Sequence, residues 1–442
     1  MSIPLRIDSR NAQDAVASLW EESLARVRAA LETLQRRDGP GNDFLGWLDL
    51  PVSSGELLPA LEASAQRLRS QADALVVVGI GGSYLGARAV IDALRPPFGE
   101  GMEIFYAGHH IDGAYLRGLL RHLEGREVCV NVISKSGTTT EPALTFRVLR
   151  AWMEQRYGAE EAARRIVATT DASRGALLSL AKDSGYERFV IPDDVGGRFS
   201  VFTPVGLLPI AAAGIDIRAL LAGAAAMRAV AFDPDPSANP ALHYAALRDA
   251  LNRSGRPVEV LASFTPALTQ VAEWWKQLFG ESEGKDGKGI FPAAVHNTTD
   301  LHSMGQYIQD GRRMLFETFL HAEASCEDLL VPRIDADIDG LNFLAGTSFA
   351  EINRNALLGT ALAHSSGNVP NSTITLERLD AEALGGLLYM FEIAVALGGY
   401  ALGVNPFDQP GVEEYKRNMF ALLDKPGFEE ERACLLARLA GR

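Results

Sequence analysis

The stretch that decides the fold is Ala74-Leu75-Val76-Val77-Val78-Gly79-Ile80-Gly81-Gly82-Ser83-Tyr84-Leu85-Gly86. A short apolar run rich in valine, ended at once by glycines, reads as a parallel strand buried on both faces. Residues 84–95 then return to helical spacing. The pattern repeats downstream. Met102-Glu103-Ile104-Phe105-Tyr106 predicts a second strand and Val128-Cys129-Val130-Asn131-Val132-Ile133 a third. A helix is expected to start near Thr140-Glu141-Pro142, because proline suits a first helical turn. Strands are expected at 165–170 and 188–191. Strand, loop and helix in alternation are the signature of an α/β domain around a parallel sheet.

Upstream, residues 11–37 and 55–71 predict amphipathic helices. Phe232-Asp233-Pro234-Asp235-Pro236-Ser237-Ala238-Asn239-Pro240 carries three prolines, which forbid a regular helix, and reads as a linker. Beyond it the alternation resumes: helix 241–252, strand 258–262, helix 267–279, a Gly- and Lys-rich loop 280–289, and strands near 290–292 and 314–319. The expected division is an N-terminal helical segment 1–50, a first sheet domain 51–231, a second 241–404, and a C-terminal helical segment 405–442.

Composition excludes several functions. Lys and Arg number 42 against 56 Asp and Glu, a net charge of −14. That argues against nucleic acid, whose backbone needs clustered cations. Cys129, Cys326 and Cys434 show no CxxC spacing, so neither a zinc site nor a disulfide framework is expected. A reducing, cytoplasmic setting fits, and the N-terminus has no secretory pattern. The apolar stretch 385–404 has Glu392 in its middle, so a helix buried inside the protein or at a subunit contact reads better than a membrane span.

Six segments can carry chemistry. After the first strand, Gly79–Gly86 can bring backbone close to a phosphate, yet it meets neither the dinucleotide nor the P-loop spacing. After the third strand, Ser134-Lys135-Ser136-Gly137-Thr138-Thr139-Thr140 offers five hydroxyls and an ammonium where open α/β sheets bind ligands. A helix cap needs one hydroxyl, so phosphate recognition is the better reading. Gly196-Gly197-Arg198 can place a guanidinium close to a ligand. In Gln277-Leu278-Phe279-Gly280-Glu281-Ser282-Glu283-Gly284-Lys285, Glu281 and Glu283 are both candidate general bases, and spacing does not choose between them. His302 and the segment Asn405–Lys416 complete the set.

Taken in order, Gly-Ile-Gly-Gly-Ser, Ser-Lys-Ser-Gly-Thr-Thr-Thr-Glu, Gly-Gly-Arg-Phe-Ser, Phe-Gly-Glu-Ser-Glu-Gly-Lys and Asn-Pro-Phe-Asp-Gln-Pro-Gly-Val-Glu make this sequence resemble the shorter bacterial branch of the glucose-6-phosphate isomerase family over essentially its whole length. The resemblance implies two sugar-isomerase (SIS) domains, each an α/β/α sandwich on a mainly parallel sheet, in a homodimer with shared sites. It implies interconversion of glucose 6-phosphate and fructose 6-phosphate, without metal or cofactor. Glu281 matches the family's catalytic base, His302 the ring-opening histidine contributed by the partner subunit, and Lys416 the lysine that assists ring opening. Arg198 matches the arginine that steadies the enediolate. Ser134, Lys135, Ser136 and Thr139, with Gly82 and Ser83, match the phosphate cradle, and Gln277 and Gln409 the glutamines lining the sugar.

Overall fold

The computed structural model describes residues 5–96, 98–323 and 328–441, so Cys326 and the first four residues, on which two of the expectations above rest, lie outside it. The described residues form ten strands: β1 (Leu5–Asp8), β2 (Ala74–Val78), β3 (Glu103–Ala107), β4 (Val128–Ile133), β5 (Ile166–Thr170), β6 (Glu187–Val190), β7 (Val258–Ser263), β8 (Phe291–His296), β9 (Leu315–Ala322) and β10 (Asn371–Leu376). They make two five-stranded sheets, ordered β3-β2-β4-β5-β6 and β1-β10-β9-β7-β8. Every pairing in the first sheet is parallel. In the second, β1 alone runs antiparallel, on the edge against β10. The fold is α/β, as the alternation predicts. The buried valines of β2 and β4 meet the expectation of strands covered on both faces.

Four expectations change. The N-terminal segment is not wholly helical: Leu5-Arg6-Ile7-Asp8 supplies β1 to the distant second sheet. Four residues are too short for a periodicity to show. The single helix expected over 11–37 is two, Arg10–Val16 and Trp20–Arg36. The Pro-rich run 232–240 is a fixed turn. Asn239 is buried, donates to the carbonyls of Ala231 (2.8 Å) and Asp233 (2.9 Å), and caps the helix Pro240–Arg253 through Leu242 N (3.1 Å). One apolar core runs across this turn, joining helix Ile217–Val230 before it to helix Ala381–Leu402 after it. Lastly, residues 280–283 do not open the Gly- and Lys-rich loop. Helix Thr269–Glu283 continues through them because Ser282 and Glu283 are buried.

Helix Ala381–Leu402 is long and apolar enough to cross a membrane by composition, but it is the centre of the core. The interior reading of 385–404 therefore holds. Helix Phe349–Ser366 and β10, unforeseen in the sequence, complete the second sheet's half.

Candidate active site

The first sheet reverses its strand order between β2 and β4, and the loops leaving these two strands diverge around a crevice. Such a switch point is where open α/β sheets bind ligands. The loop after β4 is held rigidly from behind. Thr170 Oγ1 donates to Ser134 O (2.8 Å), and Ala176 N donates to Ser136 O (2.8 Å). Within it, Ser134 Oγ accepts from Gly137 N (3.0 Å), and Ser136 Oγ accepts from Thr138 N and Thr138 Oγ1 (both 3.1 Å). Gly137 has φ of 74°, and a Cβ there would lie 2.3 Å from Leu177 N, so only glycine lets this loop sit against helix Ala176–Ser184. Thr139 immediately precedes helix Thr140–Tyr157, yet its side chain makes no capping bond. Its hydroxyl and the first helical N–H groups are therefore available to an anion. Lys135 leans on Asp193 (3.0 Å), an exposed pair that a phosphate dianion can outcompete.

The loop after β2 meets a second loop backbone to backbone: a Cβ on Gly82 would lie 2.0 Å from Gly197 O. Ser200 Oγ donates to Gly197 O (2.6 Å) and fixes the turn that aims Arg198. Arg198 is 2% exposed. Its Nε donates to Ser282 Oγ (2.7 Å), and Nη2 donates to the carbonyls of Pro406 (2.5 Å) and Asp408 (3.1 Å). Nη1 reaches Gln409 Oε1 (3.1 Å) and Glu281 Oε2 (3.5 Å). Burial draws its pKa below the ordinary arginine value, partly offset by Glu281 and Asp408, and the group stays charged. Glu281 also accepts from Gln277 Nε2 (3.1 Å), while its side chain remains 30% exposed. Among the described residues, the buried Oε1 of Gln277 has no partner.

Burial separates the two glutamates. Glu283 lies entirely inside the protein, where Arg248 Nη1 (2.5 Å) and Nη2 (3.0 Å) hold both its oxygens. Arg248 Nε binds Glu259 Oε2 (2.6 Å), and Tyr244 (2.6 Å) and Thr318 (2.7 Å) donate to Glu259 Oε1. Glu283 is part of the core, and Glu281 alone of the two faces the cleft.

Lys416 stands on helix Glu413–Leu422 and donates to Glu413 (2.8 Å). That bond raises its pKa, with burial opposing; Glu141, in the first turn of helix Thr140–Tyr157, adds a smaller rise. It makes no direct bond to Glu281 or Arg198. His302 is exposed in the short turn Thr299–His302, and within one chain it is joined to neither. Ser83 lies half-buried in the turn Gly81–Ser83. Sequence reasoning missed Ser282 and Lys285. The latter is nearly buried, binds Asp408 Oδ1 (2.9 Å) and Asn405 O, and so ties the end of the Glu281 helix to the turn carrying Gln409. Its place in the Glu-Ser-Glu-Gly-Lys run was the available signal. Among the described residues no cluster of three or more His, Cys, Asp or Glu is arranged for a metal.

The arrangement presents a hydroxyl-rich loop at a helix start, a partly exposed carboxylate and a buried cation beside it. Comparison with known proteins bears on what such a cleft belongs to. Residues 67–430 match the phosphoglucose isomerase family profile. The chain is 58% identical over 422 residues to glucose-6-phosphate isomerase of Symbiobacterium thermophilum and 55% to that of Shouchella clausii, covering 93% of this chain and 94% of each relative. Among solved structures, a hypothetical protein from Thermus thermophilus superposes with a TM-score of 0.87 at 29% identity, over 95% of this chain and all of that one. A glucose-6-phosphate isomerase from Chlamydia trachomatis shares the fold, with a TM-score of 0.82 at 21% identity over 99% of this chain and 92% of that one. Matched along nearly its whole length, with its signature segments folded around one cleft, the chain belongs to the phosphoglucose isomerase family.

Proposed function

We propose that this chain interconverts glucose 6-phosphate and fructose 6-phosphate, with Glu281 as the base. The observation that carries the reading is the placement of Glu281: open to the cleft, held by Gln277, and touching a buried arginine. The phosphate sits on Ser134, Lys135, Ser136 and Thr139, against Gly82 and Ser83, and its binding energy orients the distant reacting end. The first half (51–231) thus holds the phosphate, the second (241–404) supplies the base, and 405–442 brings Gln409 and Lys416.

Ring opening needs a proton delivered to the ring oxygen and one taken from the anomeric hydroxyl, the work assigned to Lys416 and His302. In the open sugar, Glu281 takes the proton from the carbon beside the carbonyl and returns it to the neighbouring carbon on the same face. Between these transfers the negative charge on oxygen faces Arg198, a fixed cation that needs no reorganisation as charge develops.

The side chain of His302 is exposed and has no hydrogen-bond partner among the described residues, which supports a site completed by a second copy. The same half exposes Met304, Tyr307, Leu329, Leu330, Ile338 and Phe343. An apolar surface of this kind is what a subunit contact covers. Mixing Glu281→Gln and His302→Ala chains tests this: dimers of the two regain one intact site, so activity returns. No recovery after demonstrated exchange would contradict sharing.

The function itself is tested by following fructose 6-phosphate to glucose 6-phosphate in a dehydrogenase-coupled assay. Turnover by wild type, and its loss in Glu281→Gln with substrate still bound, is the expected result. Turnover retained in that variant would contradict the assignment.

A further inference from the structure

Behind the phosphate loop lies a second cavity that the isomerase chemistry does not use. Helices Thr140–Tyr157 and Ala176–Ser184 pack into the same small core over the first sheet. Between them opens a cleft of about 530 Å³, within the usual size of a small-molecule site. Val132, Phe146, Leu177 and Leu180 give it an apolar floor. Arg147 and Arg150 stand on its rim. Arg147 makes no hydrogen bond or ion pair among the described residues. Arg150 commits only its Nε, to Glu154 (2.7 Å), leaving its two terminal nitrogens without partners there. Uncommitted guanidinium groups above an apolar floor are a notable pairing in a protein of net charge −14.

From this geometry we infer that the cleft is a second ligand site, for a small carboxylic acid with a flat apolar body. The guanidinium fork matches a carboxylate in two parallel bonds. The floor offers a sugar no partners for its hydroxyls. A phosphate would meet the same guanidinium groups but leave the apolar floor uncovered. The inner wall is the back of the phosphate cradle: Ser134 and Gly137 line the cleft, and Leu177 touches Gly137. A ligand wedged there presses on Leu177 and shifts the loop that Gly137 seats against it. Occupancy therefore weakens phosphate binding in the active site, and by reciprocity substrate weakens the carboxylate. This coupling rests on the reading of 134–139 as the phosphate cradle; the binding itself does not.

2-Naphthoate is the probe. Calorimetry on the full chain should show saturable binding, weakened about tenfold or more in Arg147→Glu and abolished in Leu180→Trp, which fills the cleft. Both variants should keep wild-type turnover without naphthoate. Naphthoate should raise KM for fructose 6-phosphate several-fold in wild type and leave it unchanged in Arg147→Glu. Absence of saturable binding overturns the site. So does equal binding by wild type and both variants, which would place naphthoate elsewhere. Cleft binding that leaves KM unchanged overturns the coupling. Because calorimetry reads binding directly, a failure of the cradle reading would show instead as unchanged KM in cradle variants with naphthoate binding intact.

Discussion

Two arginines, Arg198 at the floor of the cleft and Arg248 in the core beneath it, each bind a glutamate of the same helix, and they do opposite work. Arg248 is matched against two carboxylates, Glu283 and Glu259, with no room for a ligand. Arg198 spends most of its donors on neutral oxygens, those of Ser282, Gln409, Pro406 and Asp408, and meets a single carboxylate at the longer distance of 3.5 Å. Charge that is fully neutralised inside the fold holds structure. Charge supported by dipoles and left under-neutralised is available to a transition state. Glu392 supplies a third case, a carboxyl wholly buried with no arginine and no hydrogen-bond partner among the described residues.

The comparison breaks most visibly at Arg248. Arg248→Met strands two buried carboxylates and is expected to cost about 3–5 kcal/mol, read from the denaturant midpoint at fixed protein concentration. A near-neutral result would show that the core pair is not coupled as described. Arg198→Met should do the reverse, losing less stability and about 10²–10³-fold in kcat. Loss of stability equal to that of Arg248→Met with unchanged kcat would erase the distinction. In the cradle, Lys135→Ala or Thr139→Val removes a hydrogen bond to a charged group. KM should rise about 10-fold or more with kcat little changed, as steady-state kinetics will show.

Glu392 makes stability depend on pH. Burial raises its pKa well above the ordinary carboxylate value. The folded protein therefore keeps a proton that the unfolded chain releases above about pH 4.3. Bound protons then favour the native state less as pH rises, and stability falls until the folded pKa is passed. Glu392→Gln removes the dependence. The variant should gain steadily on wild type, by up to about 1.4 kcal/mol per pH unit, as pH rises above about 4.3 in denaturant titrations. A constant gap would mean that the carboxyl is not buried as a lone acid.

Much of this was legible in the residues. Val128–Ile133 declares a strand, because buried parallel strands are continuous apolar runs, and its hydroxyl-rich loop falls at the carboxyl end, where open α/β sheets bind ligands. The choice between Glu281 and Glu283 was not legible locally. It depends on Arg248 and Glu259, distant in sequence, which the fold places behind one glutamate and not the other. β1 was hidden for a similar reason: Leu5–Asp8 becomes a strand only because β10 offers an edge. The Pro-rich turn looked like a linker because its order comes from the bonds of Asn239, which composition does not reveal.

The central claim is that Glu281, and not its neighbour two residues on, moves the proton. The direct measurement is kcat for fructose 6-phosphate in Glu281→Gln and Glu283→Gln, each first shown to be folded. Glu281→Gln should fall by about 10²–10⁴-fold, the contribution of a general base, while folded Glu283→Gln keeps most of its turnover. The opposite order would contradict the account.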